Sequence, residues 1–433
     1  MRAPRNHNPK NKVNPMKHNN KWKLLGLSLL LPWFGAQAQV EVNVSGAQVA
    51  ARPIAVLPIQ GDPGVKMDYL IASDLHKTGL FQPLNPNSFP AADAGNYPAW
   101  KQAGADYVVS GVMQGSGSGQ FSLGDINAGS VLASDNLSDA DARQLAHQVS
   151  DWILYRLTRK RGVFGTQLAY ILEQGGKNGR KYSLVVSDVD GANRRELYTS
   201  SEPILSPAWA PNGRAIAFVT YANHYAQIVI QELGGGRRVV AQGNGISSAP
   251  AFSPDGNYLA FVQSDNNNPD IYLLNLASGS KTRLTDHSAI DTEPAFSPDG
   301  NYIYFTSDRS GSPQIYRMSR NGGAAERVVS GNGYSANSDL SPDGSSLVLT
   351  RQSGGGYQIG TYNLASQRFE ALTNGRLDEG ASFAPDGQLI IYATKEGGRS
   401  VLKIINSKGG VAQTLSDPNG RLRDPAWSPD TRP

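Results

Sequence analysis

The side chains best able to do chemistry are thinly spread along this chain of 433 residues, which holds six histidines and no cysteine. Only His76, His147, His224 and His287 lie beyond residue 38, and an imidazole in a cleft is a common general base or metal ligand. Their settings favour packing or solvated roles: His76 and His147 fall in helical patterns, His224 and His287 in loops between strand-like runs. Without cysteine there is no thiolate metal site and no disulfide framework. G-x-S-x-G, H-E-x-x-H, the P-loop and a strand-linked G-x-G-x-x-G are all missing. SDVDG at 187–191 has the look of a calcium loop but lacks the glutamate such a loop needs near its end, and a hairpin turn accounts for it. GGKNGRK at 175–181 is Gly-rich and basic, yet lies between two strands with no helix N-terminus to hold a phosphate. No catalytic residue, no metal ligand and no cofactor is assigned.

The remaining candidates are aspartates that recur. PAFSPDGNY occurs at 250–258 and again at 294–302, with weaker copies beginning at 207, 338, 381 and 425. The central prolines, Pro211, Pro254, Pro298, Pro342, Pro385 and Pro429, are separated by 43, 44, 44, 43 and 44 residues, which is the spacing of an array. Asp255, Asp299, Asp343 and Asp386 recur because the turn recurs: Ser-Pro-Asp-Gly suits a type I turn, where Pro fixes φ and Asp bonds its own backbone. In the third unit PAFS, YIYFTS, QIYRMS and ERVVS read as four strands. Four strands in about 44 residues is the arithmetic of a β-propeller blade. The sixth phrase has a first strand only, while TQLAYILEQ, KYSLVVSDV and RRELYTS, between Thr166 and Ser200, read as second to fourth strands lacking a first. Pairing the two ends gives six blades, one of them shared, and leaves no open sheet edge.

Ahead of the array the chain changes character. Leu24 to Ala38 is an apolar stretch ending in Ala-Gln-Ala and preceded by lysines, which reads as a secretory signal peptide over 1–38, with Met16 as an alternative start. Residues 1–23 carry seven Lys or Arg and no acid, so the chain from Gln39 holds 33 basic and 36 acidic residues. Its balance of −3 gives no reason to expect nucleic-acid binding. An exported, soluble, monomeric protein is expected. Residues 39–51 form an extended segment in which Val40, Val42 and Val44 alternate with Glu41 and Asn43, fitting either an edge strand or a strand added to a partner's sheet. Residues 52–160 mix strand patterns (RPIAVLPI, ADYVVSGVM) with helical ones (67–79, and a longer one after Ser138), which is a small α/β domain. GSGSG at 115–119 reads as a turn. Residues 161–165 link this domain to the propeller, 166–433. The fold class is thus two-domain: a small N-terminal α/β domain followed by a six-bladed β-propeller closed by a shared first and last blade.

First strands line a propeller's channel, so the residues ahead of them should rim one mouth. They bring Asp291, Glu293, Asp339, Asp378, Glu379 and Asp424 toward one face among small polar residues. Either these are solvated loop charges or they form an acidic mouth that binds a cation or receives a protein partner.

Taken together, ARPIAVLPI and SDLHKTGLFQPL, then HQVSDWILYRLT leading into GTQLAYI, VSDVDG and SPAWAPNGRAIAFVT, resemble the TolB family, periplasmic propeller proteins of the Tol-Pal envelope system, from about Gln39 onward. PAFSPDG phrases also occur in other propellers, so the first domain in this order is the more specific part. The resemblance implies a non-enzymatic periplasmic adaptor that supports outer-membrane integrity and constriction at division. It implies that the channel mouth docks the peptidoglycan-associated lipoprotein Pal, through loops around Ala249, Asp291, Thr292, Glu293, Asp378, Glu379 and Asp424. It further implies that Gln39, Val40, Glu41, Val42, Asn43 and Val44 engage the C-terminal domain of the inner-membrane protein TolA, with other outer-membrane-associated proteins as further candidates. GISSAP carries Ile246 and Ser247 where some relatives have a histidine-containing loop. Two other classes stay open: a periplasmic ligand- or glycan-binding propeller, which would use aromatic residues at the mouth, and an orphan propeller of a prolyl-oligopeptidase-like enzyme, which would need a hydrolase domain.

Overall fold

A computed structural model describes residues 51–431 apart from 91–92, 177–178, 223–224, 244, 265–267 and 332. The expected leader and the segment Gln39–Val44 lie outside the described residues.

The first domain is a five-stranded sheet with helices on both faces. β1 (Arg52–Val56) pairs in parallel with β2 (Phe81–Pro83) and β3 (Tyr107–Met113), and antiparallel β4 (Ser118–Asp125) and β5 (Ser130–Ser138) extend the sheet in the order β2-β1-β3-β4-β5. Strand alternation sorts the core. Ile54 and Val56 face α1 (Met67–Lys77) and α3 (Ala142–Thr158), whose Met67, Leu75, Leu145, Val149 and Ile153 complete one buried cluster. Ala55 and Leu57 face the other side, against Trp100 of the short helix α2 (Tyr97–Gln102). The Asp141 side chain caps α3 by accepting from Arg143 N at 2.7 Å, and Arg159 in the left-handed region, φ 63°, ends it. The first three residues of GSGSG lie in the turn of the β3–β4 hairpin, while Ser118 and Gly119 already belong to β4, Gly119 pairing with Met113.

The repeat unfolds into six four-stranded blades. In the third repeat the strands are Asp291–Phe296, Tyr302–Ser307, Gln314–Ser319 and Glu326–Arg327, the four runs that its sequence offers. The turns behave as their composition requires: Gly300 N donates to Ser297 O at 2.8 Å, Asn301 N to Asp299 Oδ1 at 3.0 Å, and Gly300 takes φ +70°. The Ser-Pro-Asp-Gly aspartates are turn-formers here. The last strand, Gly420–Trp427, hydrogen-bonds to β6 (Gln167–Gln174), which continues through β7 (Lys181–Asp188) to β8 (Arg195–Ser200), so the chain ends close the ring. Trp427 fastens this closure by donating from Nε1 to Thr166 Oγ1 at 2.8 Å.

The linker is held by α3: Asp151 accepts from Phe164 N at 3.0 Å and Gly165 N at 3.1 Å. Among the described residues no helix is long and apolar enough to cross a membrane.

Candidate functional site: the channel mouth

Each innermost strand contains a bulge at the same repeat position, and one residue there adopts positive φ. The six are Ser206 (51°), Ala249 (47°), Glu293 (54°), Asn337 (51°), Gly380 (63°) and Asp424 (47°). Only one is glycine, so the other five each bear a left-handed conformation costing about 1 kcal/mol. All six line one cavity of about 510 Å³ at the channel mouth. A strained backbone repeated around a ring is kept only where the surroundings over-determine it, and such positions concentrate at functional sites.

Hydrogen bonds between neighbouring blades supply that determination. Glu293 Oε2 accepts from Asn337 N at 2.8 Å, the bulge residue of the next blade, and from Thr306 Oγ1 at 2.8 Å. Asp424 Oδ2 accepts from Ser206 N at 3.1 Å, again the next bulge residue, across the closure of the ring. Asp339 accepts from Leu340 N at 2.9 Å and from Phe383 N of the next blade at 2.8 Å. Burial nevertheless pushes the Asp339 carboxyl up to about 6. These carboxylates therefore hold the mouth in shape. Glu379 projects freely, but the concave walls limit its hydration, and this first, then the charge of Asp424, lift its carboxyl above the usual glutamate value.

Two of the expected mouth acids are not at the surface. Asp291 is 0% and Asp378 1% exposed. Sequence reasoning started the innermost strands too late: Asp291 is already inside one, paired with Ser307. Its two oxygens receive Arg309 Nη2 at 2.9 and 2.8 Å. Asp378 Oδ2 accepts from Gly375 N at 3.1 Å and from Thr373, while Thr394 reaches Oδ1. Ala249 and Thr292 are partly buried, and Thr292 lies opposite Thr306 in the strand ladder.

What the sequence reading missed is the rim one residue outside those buried positions. Pro203, Ile246, Ile290, Tyr334, Leu377 and Arg421 occupy equivalent places in the six blades. Ile246, Ile290 and Leu377 are 50, 48 and 45% exposed, a concentration of apolar surface around a polar funnel. Tyr334 meets Tyr357 edge-on at 5.1 Å, and both line the mouth, where aromatic residues were not expected. Reading the repeat in register, instead of its charged residues singly, would have shown this ring. No nucleophile–base pair stands among the residues lining this mouth. Among the described residues, the donor group compact enough for an ion lies elsewhere, where α3 meets the turn after β7: His147, Asp188 and Asp190.

Comparison with known proteins agrees with the architecture. The family model described as the TolB amino-terminal domain matches residues 40–132, and the TolB beta propeller domain matches 154–431. The chain is 44% identical over 426 residues to the Tol-Pal system protein TolB of Bordetella avium, covering 94% of this chain and 95% of that one. It is 47% identical over 404 residues to the protein of that description from Methylococcus capsulatus, covering 90 and 95%. The crystal structure of TolB from Acinetobacter baumannii superposes with a TM-score of 0.84 at 35% identity, covering 90% of this chain and all of that one.

Proposed function

The chain belongs to the TolB family, and from that premise we propose that it is a non-enzymatic adaptor of the Tol-Pal system in the periplasm, docking Pal at the channel mouth and the TolA C-terminal domain through residues 39–44. The observation that carries the docking reading is the funnel: innermost strands clamped from blade to blade by Glu293, Asp339 and Asp424, within a rim exposing Ile246, Ile290 and Leu377. A pre-shaped polar hollow with an apolar border suits a protein loop, which loses little freedom to the host on docking. A reaction site would instead need a nucleophile beside a base.

Docking at the two ends is linked in this reading. The alternating Val40, Val42 and Val44 either lie against the protein itself or pair with TolA, and Pal at the mouth biases the choice. The test measures soluble Pal binding with and without TolA C-terminal domain, on the parent chain and on a variant lacking residues 39–50. Pal affinity unchanged by the deletion, together with TolA affinity unchanged by Pal, would sink the linkage and leave the two dockings standing.

The Tyr334–Tyr357 pair favours a second reading, a glycan-binding propeller. A glycan screen separates them: binding abolished by Tyr334→Ala, with no Pal binding by the parent, would favour the sugar.

A further inference from the structure

A cluster of buried ionisable groups lies away from the mouth, between α1, α3 and the propeller. Asp74 of α1 and His147 of α3 are 1 and 0% exposed, with His147 Nδ1 2.6 Å from Asp74 Oδ2. Ser150 donates to that oxygen at 3.0 Å and Lys77 to the other at 3.1 Å. Burial alone would raise the Asp74 carboxyl, but the charges of His147 and Lys77 hold it below the ordinary carboxylate range. An ionised acceptor at Nδ1 places a ring proton there.

That assignment leaves Nε2 unexplained. It is buried with no hydrogen-bond partner and faces Asp190 Oδ2 at 3.9 Å, across the domain boundary. A ring nitrogen and a carboxylate directed at one another inside a protein need a positive centre between them, either a proton on Nε2 or a bound cation. One ligand atom each from His147, Asp188 and Asp190 falls within 4.8 Å of the others. An ion bound at about 2.0–2.2 Å to nitrogen and oxygen holds its donors at most about 4.4 Å apart, so the three side chains would close in on it as it binds. A carboxylate that fixes Nδ1–H while Nε2 faces outward is the support that metal-binding histidines use.

We propose that His147 Nε2, Asp188 and Asp190 form a divalent transition-metal site, of the zinc class, that joins α3 to the propeller. One imidazole with two carboxylates suits zinc-class ions better than calcium or magnesium, which prefer all-oxygen shells. Gln144 Nε2 at 2.7 Å and Asn193 Nδ2 at 2.8 Å orient the Asp188 carboxylate. Asp188 also lines a cleft of about 550 Å³ between α3 and the propeller, which supplies an access route. Arg143 is the competing cation: it contacts Asp190 and stands 3.9 Å from Asp188 Oδ2. Being 24% exposed, its side chain can swing into the cleft as the ion enters. An occupied site would pin the first domain to the propeller through bonds that neither domain can make alone.

The test titrates the full chain, stripped of metal with chelator and desalted, with ZnCl₂ by calorimetry, and follows Co²⁺ substitution by visible absorption. Beside it stand His147→Gln, Asp190→Asn and, as a control for adventitious histidine binding, His287→Ala. The expected result is one site-specific equivalent whose affinity falls at least tenfold in both site variants and is unchanged in the control, with ZnCl₂ raising the melting temperature of parent and control only. Zinc uptake by folded His147→Gln and Asp190→Asn equal to that of the parent overturns the proposal. So does no uptake by the folded parent, and an ¹⁵N spectrum showing His147 protonated at Nε2 would then make the intervening positive centre a proton. Should His147→Gln fail to fold, Asp190→Asn, at a side chain 13% exposed, decides alone.

Discussion

Replacing Asp291 with alanine should unsettle the propeller before it affects any partner. The carboxylate is fully buried and accepts both hydrogen bonds from Arg309 Nη2, at 2.9 and 2.8 Å. Removing one member of a buried pair costs about 3–5 kcal/mol, because the other charge is left without its counter-ion. The lower end applies here. Arg309 is 17% exposed, keeps Ser307 Oγ at 2.9 Å, and keeps the faces of Phe305 and Tyr316 at 5.3 and 4.9 Å. A loss of about 3 kcal/mol in a domain this size lowers the melting temperature by about 6 °C. Asp291→Ala combined with Arg309→Met should recover most of that loss, since deleting both charges removes the uncompensated guanidinium. Urea unfolding at pH 7 of the parent, both single variants and the double variant gives the coupling directly. A single variant within about 0.5 kcal/mol of the parent, with coupling near zero, would show Asp291 to be a solvated mouth charge and the structural reasoning to be wrong.

Glu293→Ala should cost about 2 kcal/mol and weaken partner binding by loosening the next bulge, whereas Glu293→Gln, whose amide oxygen still accepts from Asn337 N, should keep most of both; thermal unfolding and a binding titration read the two effects. Asp339 gives a pH signature. Its carboxyl sits at about 6 in the fold against 3.8 for the free group, so the folded state holds the extra proton between those values and this contribution to stability falls as pH rises from about 4 to 6. Asp339→Asn should flatten that part of the stability profile, and an unchanged slope would contradict it. Deleting residues 420–431 should leave the inner edge of β6 unpaired, so size exclusion should show aggregation or self-association in place of a monomer peak.

Much of the architecture was legible because the repeat is long, regular and punctuated by a turn whose chemistry is unambiguous. The two halves of the shared blade could be matched by counting strands, and β6 with Gly420–Trp427 are the ones that meet. β5 was hard to see because one face and one edge are open: Val131 and Leu132 are 58 and 48% exposed, so alternation marks no buried side. The mouth was legible as a place but not residue by residue. Burial of Asp291 depends on where a strand begins, which cross-strand pairing sets, and burial of Asp378 on Thr373, Gly375 and Thr394 closing around its carboxylate, neither of which composition reports. The positive-φ ring was equally hidden. Asn337 and Ser206 hold that conformation with backbone N–H groups bonded to Glu293 and Asp424 of the neighbouring blades, 44 and 218 residues away in sequence, where glycine would have advertised it. His147 was read as a packing residue because α3 is amphipathic; that Asp74 and Asp190 approach it from two other elements is a tertiary fact.

The most direct test of the docking account is calorimetric titration of the chain with soluble Pal, beside Leu377→Asp and Glu379→Lys. Both residues line the mouth, both are exposed, and no described hydrogen bond uses either side chain, so the variants should melt with the parent. The account predicts one-to-one binding by the parent and a loss of at least tenfold, about 1.4 kcal/mol, in each variant. Parent-like binding by both folded variants would move the partner off this mouth, and no binding by a folded parent would contradict the adaptor reading itself.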